Sequence, residues 1–322
     1  MAVAEYHDLA MLVPMELRHL RHFAAVVDSG NLSKAAERVC ISQPALTRSI
    51  KNLEDMVGAI LLERRPRGMV PTPAGDALYR YARLILNEAV RARAEVKAVQ
   101  AGARGELAIG FAAMFSDHIV DRAVAALCGS GRDVALTLTQ GFLEELVDAL
   151  RDGRLDVIFS NLSNMTLPDD VSVEPILDVN AYIYAGATHQ LVGQRNIDKQ
   201  LLLDQRWAVV DQPHMRDFLD HYFSADGLPM PNFVVRTNSL NLIRSLIANG
   251  GFLGILPEHV IKRRSSRGEI RRIDAPGCPV VRKAGIITRK SMPGRPVVDM
   301  FIAELRAACE GDAFRAWETA SD

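Results

Sequence analysis

Cysteine is sparse in this 322-residue chain. Cys40, Cys128, Cys278 and Cys309 are scattered, with no CxxC pair and no Cys/His cluster. That excludes a disulfide-stapled scaffold, offers no metal site and fits a reducing, cytoplasmic setting. No run approaches about 18 uncharged apolar residues, so no membrane-spanning helix and no membrane partner are expected. Excess charge is missing too: 38 Lys and Arg face 39 Asp and Glu, which excludes a uniformly basic, histone-like protein. Residues 1–14 carry Glu5 and Asp8 but no Lys or Arg, so they lack the basic start of a secretory signal. They read as a flexible extension or as a start site placed too far upstream. Catalytic spacings are absent: there is no GxxxxGK[ST] loop, no HExxH, no GxSxG elbow and no Gly-rich dinucleotide turn. No enzyme activity and no cofactor are therefore expected. His19 and His22 are three apart on one helix with no third ligand nearby, so a core-edge or surface role is expected for them rather than a metal.

Apolar types make up 48% of the chain, ample for a core, and the length suits two or three domains. The charge is segregated. Residues 1–104 hold 15 basic against 11 acidic side chains, and residues 105–322 hold 23 against 28. A basic head before an acidic body points weakly to nucleic acid at one end.

The head reads as short helices. Leu17, Leu20, Ala24 and Val27 recur at helical spacing, and Gly30 can end that helix. Ser33 is the expected N-cap of a second helix bearing Ala35, Ala36 and Val39 on one side. Ser42 caps a third, with Pro44 in its first turn and Leu46, Ile50 and Leu53 as its buried stripe, up to Gly58. A link of about three residues between helices two and three forces the sharp angle of a helix-turn-helix. Ile60 to Leu62 and Met69–Val70 read as two strands of a wing, with Glu63 to Gly68 as its turn. Thr72 then caps a helix, with Pro73 first and Asp76 in the opening turn, running to about Gln100. Nearly thirty helical residues that are half apolar need a partner, and a second copy is the simplest one.

After a linker at Ala101–Gly105 the pattern alternates. Strands are expected at 107–111, 134–139, 155–160, 173–178, 181–185, 207–210, 233–236, 251–256, near 270 and at 281–288. Helices are expected at 117–127, 143–152, 198–204, 215–225, 239–249 and 297–309. Alternation argues a parallel sheet with helices on both faces, and so many strands argue two α/β lobes.

The segment from Met15 to Gly75 carries "LRHLRHF", "AAERVCISQPALTRSIKNLE", "LLERRPRG" and "TPAG" in order. It resembles the amino-terminal domain of the LysR-type transcriptional regulators. "GELAIG", "LRDGRLDVIFS" and "GGFLGILPEHV" resemble that family's effector-binding domain more loosely. The resemblance implies an α/β protein with an all-α N-terminal part: a winged helix-turn-helix over 15–72, a dimerising linker helix over 73–101, and a two-lobed periplasmic-binding-protein-like domain over 105–322. Lobe I would take about 105–161 and 265–310, and lobe II about 162–264. The family implies promoter DNA as partner, a dimer or tetramer of the chain, contact with RNA polymerase and a small effector between the lobes. Leu62 stands where the family usually has phenylalanine, and Met56-Val57-Gly58 replaces a Glu/Leu-Gly end. Cys40 is expected to be a packed small residue. Residues 162–260 lack cysteine, which argues against an oxidant sensor of the family's cysteine-pair type.

In such a head the third helix enters the major groove. Gln43 suits adenine, Pro44 and Ala45 suit a thymine methyl, and Thr47, Arg48 and Lys51 lie off the buried stripe. Arg48 is the expected base reader or phosphate clamp, and Lys51 a phosphate contact. Ser33 and Ser42 would meet phosphates through hydroxyl or helix-terminal N–H groups. Arg64, Arg65 and Arg67 would reach a minor groove or its rim, or simply stay solvated.

Effector contacts are expected at strand ends and helix starts. The candidates are Ala113, Met114 and Phe115, then Asn161, Ser163 and Asn164, then Thr237, Asn238 and Ser239, with His214 and Arg216 at the rim. The apolar first loop suits a weakly polar or aromatic effector, unless Met114 and Phe115 pack into the lobe instead. "GGFLGILP" reads as structural, its glycines letting strand and helix approach. Three other readings stand beside the ligand-gated regulator: a ligand-independent repressor with a vestigial pocket, an α/β enzyme, and a solute-binding protein.

Overall fold

The computed structural model describes residues 15–66, 68–100, 106–131, 134–162, 166–261, 269–291 and 294–310. They form two compact units. The first comprises Met1–Ala108, Asp133–Thr137 and Val147–Asp156; the second comprises Ile109–Arg132, Leu138–Leu146 and Val157–Asp322. Among the described residues no helix is long and apolar enough to cross a membrane.

In the first unit α1 (Leu17–Ser29), α2 (Leu32–Arg38) and α3 (Gln43–Val57) are followed by a ribbon of β1 (Leu62–Arg65) and β2 (Gly68–Pro71), then α4 (Pro73–Gln100). Gly30 and Gly58 end α1 and α3 in the left-handed conformation, as their lack of a Cβ allows. Asn31, not Ser33, caps α2: its side chain accepts from the Ser33 and Lys34 N–H groups. Asn caps as well as Ser, and the helix simply begins earlier. Leu20, Phe23 and Val26 of α1 meet Ala35, Ala36, Leu46, Ile50 and Leu53 in one core, closed by Leu61, Leu62 and Ala82. Leu17 lies outside it, 49% exposed. His19 and His22 are buried at its edge, and the Glu16 N–H donates to the His19 ring at 3.3 Å. Cys40 is exposed rather than packed, with φ of 59°, because the link to α3 turns through the left-handed region there.

The ribbon pairs Leu62 with Pro71 and Arg65 with Gly68. The strand thus starts later than expected, and Arg64 and Arg65 lie on it rather than in a turn. Ile60 is outside it and 70% exposed.

The α/β region contains β3 (Glu106–Phe111), a 3-10 turn (Ala113–Phe115), a π-turn (Ser116–Val120), α5 (Asp121–Gly129), β4 (Ala135–Gln140), α6 (Leu143–Arg151), β5 (Val157–Asn161) and β6 (Val171–Gly186). There follow α7 (Lys199–Leu203), β7 (Arg206–Val210), α8 (Pro213–Ser224), β8 (Phe233–Thr237), α9 (Leu240–Gly250), β9 (Phe252–Pro257), α10 (Glu258–Ile261), β10 (Ile270–Arg272), β11 (Val280–Arg289) and α11 (Pro296–Glu310). The strand order is β4-β3-β5-β11-β6-β9-β7-β8, with β10 on β6.

The sheet is mixed, not parallel. β3/β5, β7/β8 and β7/β9 are parallel, whereas β11 runs antiparallel to β5 and β6, and β6 to β9 and β10. β6 is one strand where two were expected. Its first eleven residues pair with β11, and its last six pair with β9 and β10. β6 and β11 thereby join the two halves of the sheet. Along β7 and β9 alternate side chains serve different cores. Trp207, Val209, Leu253 and Ile255 face Leu219 and Phe223 of α8. Ala208, Phe252 and Leu256 face Ile243 and Ile247 of α9. A Cβ on Gly254 would sit 2.6 Å from Ile247 Cδ1, so the expected close approach of strand and helix is present there.

Candidate nucleic-acid interface and ligand cleft

On α3 the 3.6-residue period sorts side chains cleanly. Leu46, Ile50 and Leu53 are buried, while Ser42, Gln43, Pro44, Thr47, Arg48 and Lys51 are exposed and Ala45 is half-buried. Ser42 Oγ accepts from the Ala45 N–H at 3.4 Å, and Pro44 sits in the first turn, where no intrahelical donor is needed. Ser33 Oγ donates to Gln43 Oε1 at 3.0 Å, so freeing Ser33 from capping lets it aim the Gln43 amide. That oxygen keeps a second lone pair and the amide keeps its N–H donors, the pair of functions that adenine's edge requires. The Thr47 hydroxyl donates within the helix to the Gln43 carbonyl at 3.0 Å, which leaves it as an acceptor. Among the described residues no side chain pairs with Arg48 or Lys51.

Met69 N–H donates to the Gly30 carbonyl at 2.8 Å, tying the wing to the start of α2. Ser33, Gln43, Arg64, Arg65 and Pro66 then line one open hollow of about 430 Å³. Arg65 is held by Glu63 at 3.2 Å. Arg67 lies outside the described residues. The structure thus brings Ser33, Gln43, Arg64 and Arg65 of the expected set together around one hollow.

His22 of α1 and Ser49 of α3 share a 2.8 Å hydrogen bond that ties α3 to α1. Burial lowers the His22 pKa from 6.5, and the cations of Arg21, His19 and Arg18 lower it further. A depressed histidine pKa favours the neutral ring in the folded state. Its contribution is complete above 6.5 and is lost as pH falls through that value toward the folded-state pKa. The melting temperature is expected to drop between about pH 8 and pH 5, and to drop less in His22→Gln. Equal drops in both proteins would remove this role from His22.

In the second unit two adjoining hollows share Ala113, Met114, Gln140, Asn238 and Leu240. One, of about 240 Å³, adds Ser116, Asp117, Ser239, Arg244 and His259. The other, of about 200 Å³, has a floor of Ala112, Phe142, Met215, Ile255 and Leu256, with Ser160, Asn161, Gln212 and Arg282 among its polar groups. Ser239 caps α9, its Oγ accepting from the Leu242 N–H at 3.3 Å. His259 and the Met114 carbonyl are hydrogen-bonded at 2.8 Å, which holds the 3-10 turn against α10.

Ala113, Met114, Asn161, Asn238 and Ser239 line the cleft as expected from their positions in the chain. Phe115 does not: it is fully buried, 4.7 Å from the Phe159 ring and 5.6 Å from His259. The 3-10 turn rotates it into the lobe. Thr237 does not line it either, because its Oγ1 accepts from the Ser239 N–H and its carbonyl from the Asp211 N–H. Ser163, Asn164 and the His214 side chain lie outside the described residues. Arg216 borders a different hollow with Asp211 and Arg236. Gln140, Gln212, Arg282 and His259 were not among the expected residues. Gln140 closes a strand shifted by one residue from its expected range, and Arg282 shows in the sequence only as one of the charges of β11.

Residues 17–76 match the family model described as the bacterial regulatory helix-turn-helix protein, lysR family, and residues 100–310 match the LysR substrate binding domain. The HTH-type transcriptional regulator CysL of Bacillus subtilis is 28% identical over 290 residues, 89% of this chain and 96% of that protein. BenM of Acinetobacter baylyi, another HTH-type regulator, is 28% identical over 252 residues, covering 76% and 80%. Among solved structures, a full-length OxyR variant from Pseudomonas aeruginosa is 26% identical with a TM-score of 0.63, covering 92% and 96%. Full-length CbnR bound to its target DNA has the same fold, with a TM-score of 0.61 at 24% identity, covering 91% and 100%.

Proposed function

The chain belongs to the LysR family of bacterial transcriptional regulators, and we propose that it reads promoter DNA with the outer face of α3 and the wing and that a small effector in the cleft modulates this binding. The matched relatives are named as regulators, not enzymes. The observation that carries the DNA assignment is the exposed pair Arg48 and Lys51, with no side-chain partner among the described residues, opposite a buried stripe. Arginine and lysine side chains left in solvent on a rigid helix are poised for phosphates and base edges. The domain limits proposed are 15–72 for the winged helix-turn-helix, 73–101 for the linker helix and 105–322 for the two-lobed effector-binding domain. On α4, Tyr81 and Val90 are 65% and 68% exposed, which supports that helix as the surface that pairs with a second copy. Two such dimers would make the tetramer, and RNA polymerase is the proposed further partner at the promoter.

The test is gel retardation of the DNA upstream of the gene. Wild-type protein should retard it, with affinity falling steeply as salt rises because phosphate contacts release counterions. Arg48→Ala should weaken binding about tenfold or more, the worth of about 1–3 kcal/mol for a good base contact, with unchanged melting temperature. Undiminished affinity in Arg48→Ala would remove Arg48 from the interface.

A further inference from the structure

We propose that the cleft takes a small organic anion whose carboxylate sits on Arg282 and whose hydroxyl or N–H group donates to Asn161, with an apolar body against Met114, Met215 and Ile255. This rests on the effector-binding reading above and names the chemistry of its ligand.

Arg282 lines the smaller hollow from the third residue of β11, where that strand pairs with β6. Its neighbour Lys283 projects to the other face of the strand, where Asp178 lies 3.7 Å away. The acid on the adjoining strand is thus spent on Lys283. Glu145 also lines the hollow, but its carboxylate accepts from the Phe142 N–H at 3.5 Å. Among the described residues Arg282 meets only the Phe218 ring, whose centroid is 5.4 Å away. Burial lowers the Arg282 pKa, and no carboxylate works against that fall. A partly desolvated guanidinium with no carboxylate in contact among the described residues is costly, and an anion in the cleft supplies that contact. Its planar fork of donors matches a carboxylate in two parallel hydrogen bonds.

The second polar requirement comes from Asn161. The residue is 6% exposed and its Oδ1 has no hydrogen-bond partner among the described residues, yet it borders the same hollow. A buried acceptor left unmet asks for a donor on the ligand. Met114, Phe142, Met215, Ile255 and Leu256 supply an apolar stretch of the wall beside the polar Gln140, Ser160, Gln212 and Asn238, and a volume of about 200 Å³ is below the range of about 300–1,000 Å³ typical of drug-sized sites. These features together describe a monocarboxylate with a short aromatic or branched aliphatic body, best as a 2-hydroxy acid.

The experiment measures thermal shift and calorimetric affinity of the full chain for benzoate, phenylacetate, phenyllactate and 2-hydroxy-4-methylpentanoate, each beside its neutral amide. The acids should raise the melting temperature and the amides should not. Arg282→Gln should weaken acid binding at least about tenfold, with Arg282→Lys between it and wild type. Asn161→Ala should weaken the hydroxy acids more than benzoate. Amides that bind as well as acids, or acids that bind Arg282→Gln as well as wild type, would overturn the proposal without a folding ambiguity, since the acid–amide contrast is read on wild-type protein. Absence of a shift from all four acids would also overturn it. Failure of the wild type to retard its upstream DNA is a separate result, and would sink the regulator reading whatever the acids do.

Discussion

Gly75→Ala is expected to unfold the DNA-binding head or cost it about 3 kcal/mol or more, lowering the melting transition and abolishing DNA retardation. A Cβ at residue 75 would lie 2.0 Å from the Leu61 carbonyl oxygen, 3.0 Å from its carbon and 3.2 Å from Pro71 Cβ. The nearest obstacle is backbone, so no rotamer change relieves it. The backbone cannot easily retreat. The Leu61 carbonyl accepts from the Thr72 N–H at 3.0 Å, and Thr72 Oγ1 donates to the Ile60 carbonyl at 2.7 Å while accepting from the Gly75 N–H at 3.0 Å. Leu61 is itself fully buried in the core beneath α3. Moving α4 outward would break these bonds and open that core together. A melting temperature within about 2 °C of wild type would show that α4 can shift cheaply and that the close approach is incidental.

The second large effect is expected at Asp156. Its carboxylate is 1% exposed, accepts from the Ala108 N–H at 2.8 Å and pairs with Arg91 of α4 at 2.5 Å. Around it the Asn87 amide donates to the Asp152 carbonyl at 2.6 Å, and Arg83 lies within 3.8 Å of the Asp152 carboxylate and 3.3 Å of the Asp28 carboxylate. These ties explain why residues 147–156 belong with α4 in the first unit. Asp156→Ala would leave the Arg91 guanidinium with Glu88 at 3.6 Å in place of its short buried pair and would orphan the Ala108 N–H, a loss of about 3 kcal/mol. Asp156→Asn keeps an acceptor for Ala108 and should lose less. Urea unfolding reads both, and little salt dependence is expected because the pair is shielded from solvent. A loss under about 1 kcal/mol in Asp156→Ala would mean the pair barely repays its desolvation.

How legible the molecule was in its sequence depended on how local each signal is. The stripe of Leu46, Ile50 and Leu53, the terminal glycines of α1 and α3 and the cap of Thr72 all act within a few residues, and each is where its pattern places it. The continuity of β6 was hidden because partners decide it. Val179 and Asn180 look like a break, yet they pair with Arg282 and Val281 of β11. Pro175 is tolerated because it faces Gly285 at a register shift, where ladder bonds are already irregular. At the cleft the loop after β3 was visible as a strand end, but not the turn that buries Phe115 and leaves Met114 at the wall.

Periodicity and capping were therefore enough to determine the helical head and the outward set of Gln43, Arg48 and Lys51, since each follows from spacing along one helix, while the family showed in the ordered motifs from Met15 to Gly75. Which acid neutralises which base, and so that Asp178 serves Lys283 and leaves Arg282 facing the cleft, was decided only when distant strands came into register. The reason is that a side chain's direction is local, whereas its counter-charge arrives from another part of the chain.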